Sequence, residues 1–236
     1  MWIEVIFCVF VTLLYFLCYV DMKISKSDDI YYYDKVLTRK DLNRETFLKS
    51  PFYFDGTHLN DSVDKTQLEK KYKEKNVYTS YTKLYTSIVL LEPHLRFKPE
   101  TEVFYVDKHL PIHMNQSSFN YYIIKEGSCK ITFIHPKFRD NFYDAYELQQ
   151  TQVKIDYIKK HNHFKTIVFE KNSIIYVPND WILFIENNET TRDKSKSPKS
   201  SKSSNPCIIE IIRYRTLCNQ IIGWIKNNLI KQHKKE

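Results

Sequence analysis

The stretch Asn120-Tyr121-Tyr122-Ile123-Ile124-Lys125-Glu126-Gly127-Ser128-Cys129-Lys130-Ile131 decides the fold of this chain. Two runs of β-branched and aromatic residues, Tyr121–Ile124 and Cys129–Ile134, flank Glu126-Gly127, and glycine supplies the backbone angles a tight reversal needs. The stretch therefore predicts a β-hairpin. The same grammar recurs outward. Upstream stand Tyr85–Leu91, which ends at Pro93, and Glu102–Val106. Downstream stand His163–Glu170, Ser173–Val177, Trp181–Glu186 and Cys207–Tyr214. Short strands separated by turn signals predict a mainly β sandwich or barrel.

Composition agrees. The 236 residues suffice for one sizeable domain, and a hydrophobic fraction of 42% excludes global disorder. With 18 Tyr, 15 Phe, 3 Gly and Ala145 as its one alanine, the chain favours strands over helices. So few glycines make a phosphate-cradling loop hard to build, and no nucleophile elbow or dinucleotide fingerprint is present. Cys8 and Cys18 lie in an apolar segment; Cys129, Cys207 and Cys218 fit neither a disulfide framework nor a C-x-x-C zinc site, so buried reduced thiols are expected.

The net charge of +8 is concentrated in two places. Arg192, Lys194, Lys196, Lys199 and Lys202 against Asp193 give +4, and Lys226, Lys231, Lys234 and Lys235 against Glu236 give +3. Basic charge in a loop and a tail, rather than along an aromatic-lined groove, argues against a nucleic-acid partner. It fits solvation or attraction to an anionic lipid surface.

From Trp2 to Val20 the only charge is Glu4, and a helix of that length spans about 30 Å, the thickness of the hydrocarbon core. Trp2, Tyr15 and Tyr19 place aromatic rings near its ends. A cleaved signal peptide is the rival reading, but it needs a basic start and a small-residue cleavage site; Glu4 and Leu17-Cys18-Tyr19-Val20 stand there instead. Residues 1–20 are thus expected to be a single transmembrane anchor. Lys23, Lys26, Lys35, Arg39 and Lys40 follow it and no Lys or Arg precedes it, which places the soluble part on the cytosolic side.

Residues 21–80 read as linker and irregular segment, with one charged helix over Lys65–Asn76, while Tyr31-Tyr32-Tyr33 and Pro51-Phe52-Tyr53-Phe54 pack onto the domain surface. Residues 81–236 read as the β domain. Within it, Ser- and Lys-rich residues 190–206 form a disordered insertion. Leu217, Ile221, Ile225 and Leu229 predict an amphipathic helix over 217–232 that packs on the domain or contacts a partner or membrane.

The order of Asn120–Ile131, then Ile174-Ile175-Tyr176-Val177-Pro178-Asn179-Asp180-Trp181, then Ile211-Ile212-Arg213-Tyr214-Arg215-Thr216, resembles the double-stranded β-helix of cupin-like proteins related to the JmjC and factor-inhibiting-hypoxia-type oxygenases. It is similar above all to a membrane-anchored branch found in giant DNA viruses and their algal or protist relatives, which implies a cellular or virus-factory membrane. In active members an H-x-D/E pair and a distant His hold iron(II), with 2-oxoglutarate beside it. The resemblance places His113-Met114-Asn115 at the first pair and Ile182 or Leu183 at the distal position. His113 fits as a vestigial metal ligand; Asn115 and Leu183 mark degenerate positions.

His161 and His163 sit among lysines, and His94, His109 and His135 beside prolines or apolar residues, which offers no ligand set. No catalytic residue is therefore expected, nor any cofactor. The implied function is a membrane-tethered, non-catalytic binding or scaffolding domain with an unknown protein partner. The alternatives are an iron(II)/2-oxoglutarate oxygenase with unusual ligands and a metal-free small-molecule-binding barrel.

Overall fold

In the computed structural model, the described residues are 2–34, 37, 39–57, 100–138, 160, 164–188, 207–216 and 218–220. Helix α1, Trp2–Met22, is long and apolar enough to cross a bilayer, and no part of Trp2–Val20 is buried against the rest of the chain. Among the described residues ten strands follow: β1 (Tyr31–Tyr33), β2 (Phe52–Asp55), β3 (Glu100–Val106), β4 (His113–Met114), β5 (Phe119–Glu126), β6 (Ser128–Ile134), β7 (Lys165–Glu170), β8 (Ser173–Pro178), β9 (Ile182–Asn187) and β10 (Cys207–Tyr214).

They make two sheets, one ordered β1-β2-β8-β5-β10-β3 and the other β4-β9-β6-β7. From β3 onward the chain distributes its strands between the two sheets, and every pairing among these eight is antiparallel. Eight strands wound in this order are a jelly roll, the architecture of cupins. The mainly β, jelly-roll part of the fold class predicted from sequence is thus present in the strand order itself. The seven strands β3 and β5–β10 lie where the sequence places them.

The predicted hairpin is a different object. β5 pairs with β10 and β8, whereas β6 pairs with β7 and β9, so the two strands flanking Gly127 belong to opposite sheets. Gly127, at φ 72°, turns the chain round a corner of the sandwich. A corner and a hairpin both require positive φ, which is why the local sequence reads alike for the two. Asn172 (φ 76°) and Asp180 (φ 65°) turn the corners into and out of β8. Asn and Asp tolerate this region better than other side chains.

Between the sheets lies the main core, including Tyr122, Ile124, Ile131, Phe133, Val177, Trp181, Leu183, Ile209 and Ile211. Cys129 of β6 and Cys207 of β10 are free thiols within it, from opposite sheets. A hydrogen bond with Cys207, and burial, push the Cys129 thiol well up from its ordinary value. The interior is therefore filled with apolar side chains rather than hollow.

The described residues of 21–57, read from sequence as linker and irregular segment with 31–33 and 51–54 packing onto the domain surface, join the larger sheet through β1 and β2. β2 pairs with β8 and brings the buried Phe52 and Phe54 against Tyr176 and Ile174, with Leu37 and Leu42 in the same cluster. Leu42 lies on helix α2, Arg39–Phe47, which ends as Lys49 enters the left-handed region at φ 57° and reverses the chain towards Pro51. Gly56 has no room for a side chain, since a Cβ would lie 2.9 Å from the Asn172 carbonyl oxygen. The predicted strand 85–91, helix 65–76 and insertion 190–206 lie outside the described residues. At the C-terminal end, Thr216 caps a helical turn, its Oγ1 accepting the Asn219 N–H at 3.2 Å. The helix expected over 217–232 lies beyond the described residues after Gln220.

Candidate functional site

One end of the barrel opens between β3, β4 and β10. The cavity there is about 340 Å³, lined by side chains that include Glu100, Glu102, His113, Asn115, Arg213 and Arg215. Strand alternation explains the set: Ile209, Ile211 and Arg213 share one face of β10, and where the apolar core ends the next inward position is a guanidinium. Arg213 is paired with Glu102, and Arg215 Nη2 lies 3.1 Å from Glu100 Oε2. The mouth is thus lined by two cations and two carboxylates that already neutralise one another.

Of the three positions singled out by sequence, His113 and Asn115 line this mouth, and Leu183 lies in the core behind it. In the β4–β9 register His113 stands directly opposite Leu183. Asn115 follows on the same segment, its N–H bonded to the Trp181 carbonyl at 3.0 Å and its carbonyl accepting the Asp180 N–H at 2.7 Å. That double tie locks the Pro178–Trp181 turn against β4.

The polar atoms of this group lie within hydrogen-bond distance of one another or of backbone carbonyls. His113 Nδ1 is 3.2 Å from the Pro111 carbonyl and Nε2 is 2.9 Å from the Tyr122 hydroxyl. Tyr122 Oη is 2.5 Å from Asn115 Oδ1, while Asn115 Nδ2 donates to the Trp181 carbonyl at 3.2 Å. Neutral histidine donates from one nitrogen only, and Tyr122 has one proton for two acceptors, so the chain of contacts is one proton short of full satisfaction. Burial nevertheless pushes His113 down to about 4, against a smaller upward pull from Pro111, and keeps it neutral near pH 7.

The sign of the resulting pH dependence follows. Unfolded His113 protonates near 6.5 and the folded residue near 4, so the unfolded state binds the extra proton first as pH falls. No effect exists above pH 6.5; stability is lost between 6.5 and 4, by at most about 3 kcal/mol because the ring keeps some contact with solvent in the cavity. Denaturation curves across this window should therefore steepen in pH for the native chain relative to His113→Gln, with the two parallel above pH 7.

The donor set does not fit iron(II). A facial triad needs three lone-pair donors, but Leu183 has none, Asn115 Oδ1 is held by Tyr122, and His113 lies between two partners. Among the described residues no three His, Cys, Asp or Glu side chains converge as a metal set. The remaining described histidines sit apart. His135 is buried, with Nδ1 accepting the Lys137 N–H and Nε2 donating to the Ser25 carbonyl; His109 rests beside Phe184. His94, His161 and His163 lie outside the described residues. Sequence reasoning missed Arg213, Arg215, Glu100 and Glu102 as mouth residues, and the buried Tyr122 as the partner of His113. Charged residues at the ends of otherwise apolar strands were the available signal.

No protein-family model matches the chain, and no curated protein matches it in sequence. Among solved structures it is similar to a cupin-2 domain protein from Shewanella frigidimarina, at 13% identity and TM-score 0.31, covering 63% of this chain and 92% of that one. It is also similar to an RmlC-like cupin from Methanocaldococcus jannaschii, at 11% identity and TM-score 0.30, covering 56% and 80%. A structure of oxalate decarboxylase gives 10% identity and TM-score 0.31 over 59% of this chain and 25% of that one. Likenesses this distant carry no argument about chemistry, and the cupin-type assignment rests on the strand order described above.

Proposed function

We propose that this chain is a membrane-tethered, non-catalytic cupin-type domain that binds a small polar ligand at the barrel mouth. The observation that carries the reading is the mouth itself. Its 340 Å³ cavity brings Arg213 and Arg215 together with Glu100 and Glu102, while the positions that hold iron in oxygenases of this architecture carry Asn115 and Leu183. Paired guanidiniums can exchange their carboxylate partners for an acidic group of a ligand, a bidentate contact that arginine favours. The apolar α1 supports tethering, and the basic residues after it favour the cytosolic side of a cellular or virus-factory membrane.

The test is thermal stability of the full chain in detergent, screened against small mono- and dicarboxylates and phosphate esters, with metal content measured in parallel. Stabilisation that is lost in Arg213→Gln, without bound metal, supports the reading. Stoichiometric iron that disappears in His113→Ala would overturn it in favour of the 2-oxoglutarate oxygenase. No stabilisation by any of these acids would leave the mouth without the proposed role.

A further inference from the structure

The anchor does not end in a flexible tether. Ser25, three residues beyond α1, is buried, and its Oγ lies 2.9 Å from Ser50 Oγ while its carbonyl accepts from His135 Nε2 at 2.9 Å. Asp28 then pairs with Lys137 at 3.2 Å and Asp29 with Lys165 at 2.6 Å. The segment leaving the helix is thus stitched to the barrel almost at once. Three extended residues cover at most about 10 Å, little more than the roughly 5–8 Å of headgroup region on one side of a bilayer.

At that point the domain exposes apolar side chains. Ile24 is 44% exposed, Phe47 55% and Leu48 50%, the last two at the end of α2 next to Lys49 and Ser50. The Lys23 ammonium lies 5.8 Å from the Phe47 ring centre, so the end of α1 and the end of α2 meet there. Lys23 and Lys26 are exposed and lie within two residues of Ile24 in the chain, whereas Arg44, one turn before Phe47, is exposed but paired with Glu45, its Nη2 2.9 Å from Oε1. An apolar tip with two exposed lysines beside it, following directly on a helix apolar enough to span a bilayer, has the composition of an interfacial membrane contact.

We infer that Ile24, Phe47 and Leu48 form a second membrane contact, seated at the headgroup level of an anionic bilayer and holding the barrel in one fixed orientation to it. This rests on α1 spanning the bilayer.

The test uses the full chain in nanodiscs containing phosphatidylserine, with p-benzoylphenylalanine replacing Leu13, Leu48 or Val168 in three separate proteins. Leu13 lies within α1; Val168, on β7, is 49% exposed and thus as open as Leu48. Irradiation should give lipid adducts at 13 and 48 and none above background at 168. Adduct at 13 with none at 48, or equal adduct at 48 and 168, overturns the second contact while leaving the anchor intact. Absence of adduct at 13 overturns the anchor and the inference with it. All three replaced side chains are exposed, so folding does not depend on them, and an unchanged unfolding transition verifies this.

Discussion

Lys125→Met will lower the unfolding free energy of the domain by about 3–5 kcal/mol, because it strands a buried carboxylate. Lys125 Nζ lies 3.0 Å from Glu210 Oε2, and the two side chains are 3% and 2% exposed. The contact is an ion pair without a well-aligned hydrogen bond at Oε2, so its stability rests on charge proximity in a medium that screens weakly. The pair sits beside a bulge in β5. Ile208 stands opposite Glu126 and Ile209 opposite Ile124, which leaves Lys125 with no residue across from it on β10. Lys125 is thus the extra residue of that bulge, and its ammonium reaches Glu210.

The double variant Lys125→Met with Glu210→Leu should recover most of the loss, since apolar residues of similar size often replace a buried pair at little cost. Urea denaturation of the native chain, both single variants and the double variant closes the cycle. A loss below about 1 kcal/mol for Lys125→Met would mean that water reaches Glu210 and that the pair behaves like a surface one.

That lysine shows how legibility varies along the chain. β5 and β10 were readable because both are nearly continuous apolar runs, as strands buried on both faces are. One Lys and one Glu inside those runs were visible, but their pairing depends on β5 lying beside β10, residues 85 positions apart, which no periodicity encodes. β4 was invisible as a strand, being only His113 and Met114; the resemblance named His113 and Ile182 or Leu183 as ligand positions, and only the structure shows His113 paired across from Leu183. The charged mouth was missed because Arg213 and Glu102 come together from residues 111 positions apart. Gly127 was readable as a turn but not as a corner, since the choice of sheet is made by distant strands. β1 and β2 were missed because three and four residues of mostly aromatic sequence show no alternation, and tertiary pairing alone makes them strands.

Those two short strands carry the second large effect. A chain beginning at residue 58 will aggregate, whereas one beginning at residue 23 will unfold cooperatively. Phe52 and Phe54 are each 1% exposed, and Phe52 stacks on Tyr176 with ring centres 4.8 Å apart. Truncating one buried phenylalanine to alanine costs about 3–5 kcal/mol. Losing both approaches the whole stability of an ordinary domain, about 5–15 kcal/mol. The damage is also qualitative. β2 covers the outer edge of β8 through four cross-strand positions, Phe52 to Asp55, and without it β8 presents unpaired backbone groups beside exposed Tyr176 and Ile174. Such an edge is a template for association with other chains.

Phe52→Ala in the longer chain separates the two causes: it should lower the urea midpoint without aggregation, because the edge stays covered. A soluble, cooperatively folded chain from residue 58 would instead make β1 and β2 an appendage. The order of consequences then matters for the membrane. Ser25 is bonded to Ser50, two residues before β2, so the same segment that closes the sheet edge also fastens the barrel to its anchor. A change that loosens β2 should therefore release both together.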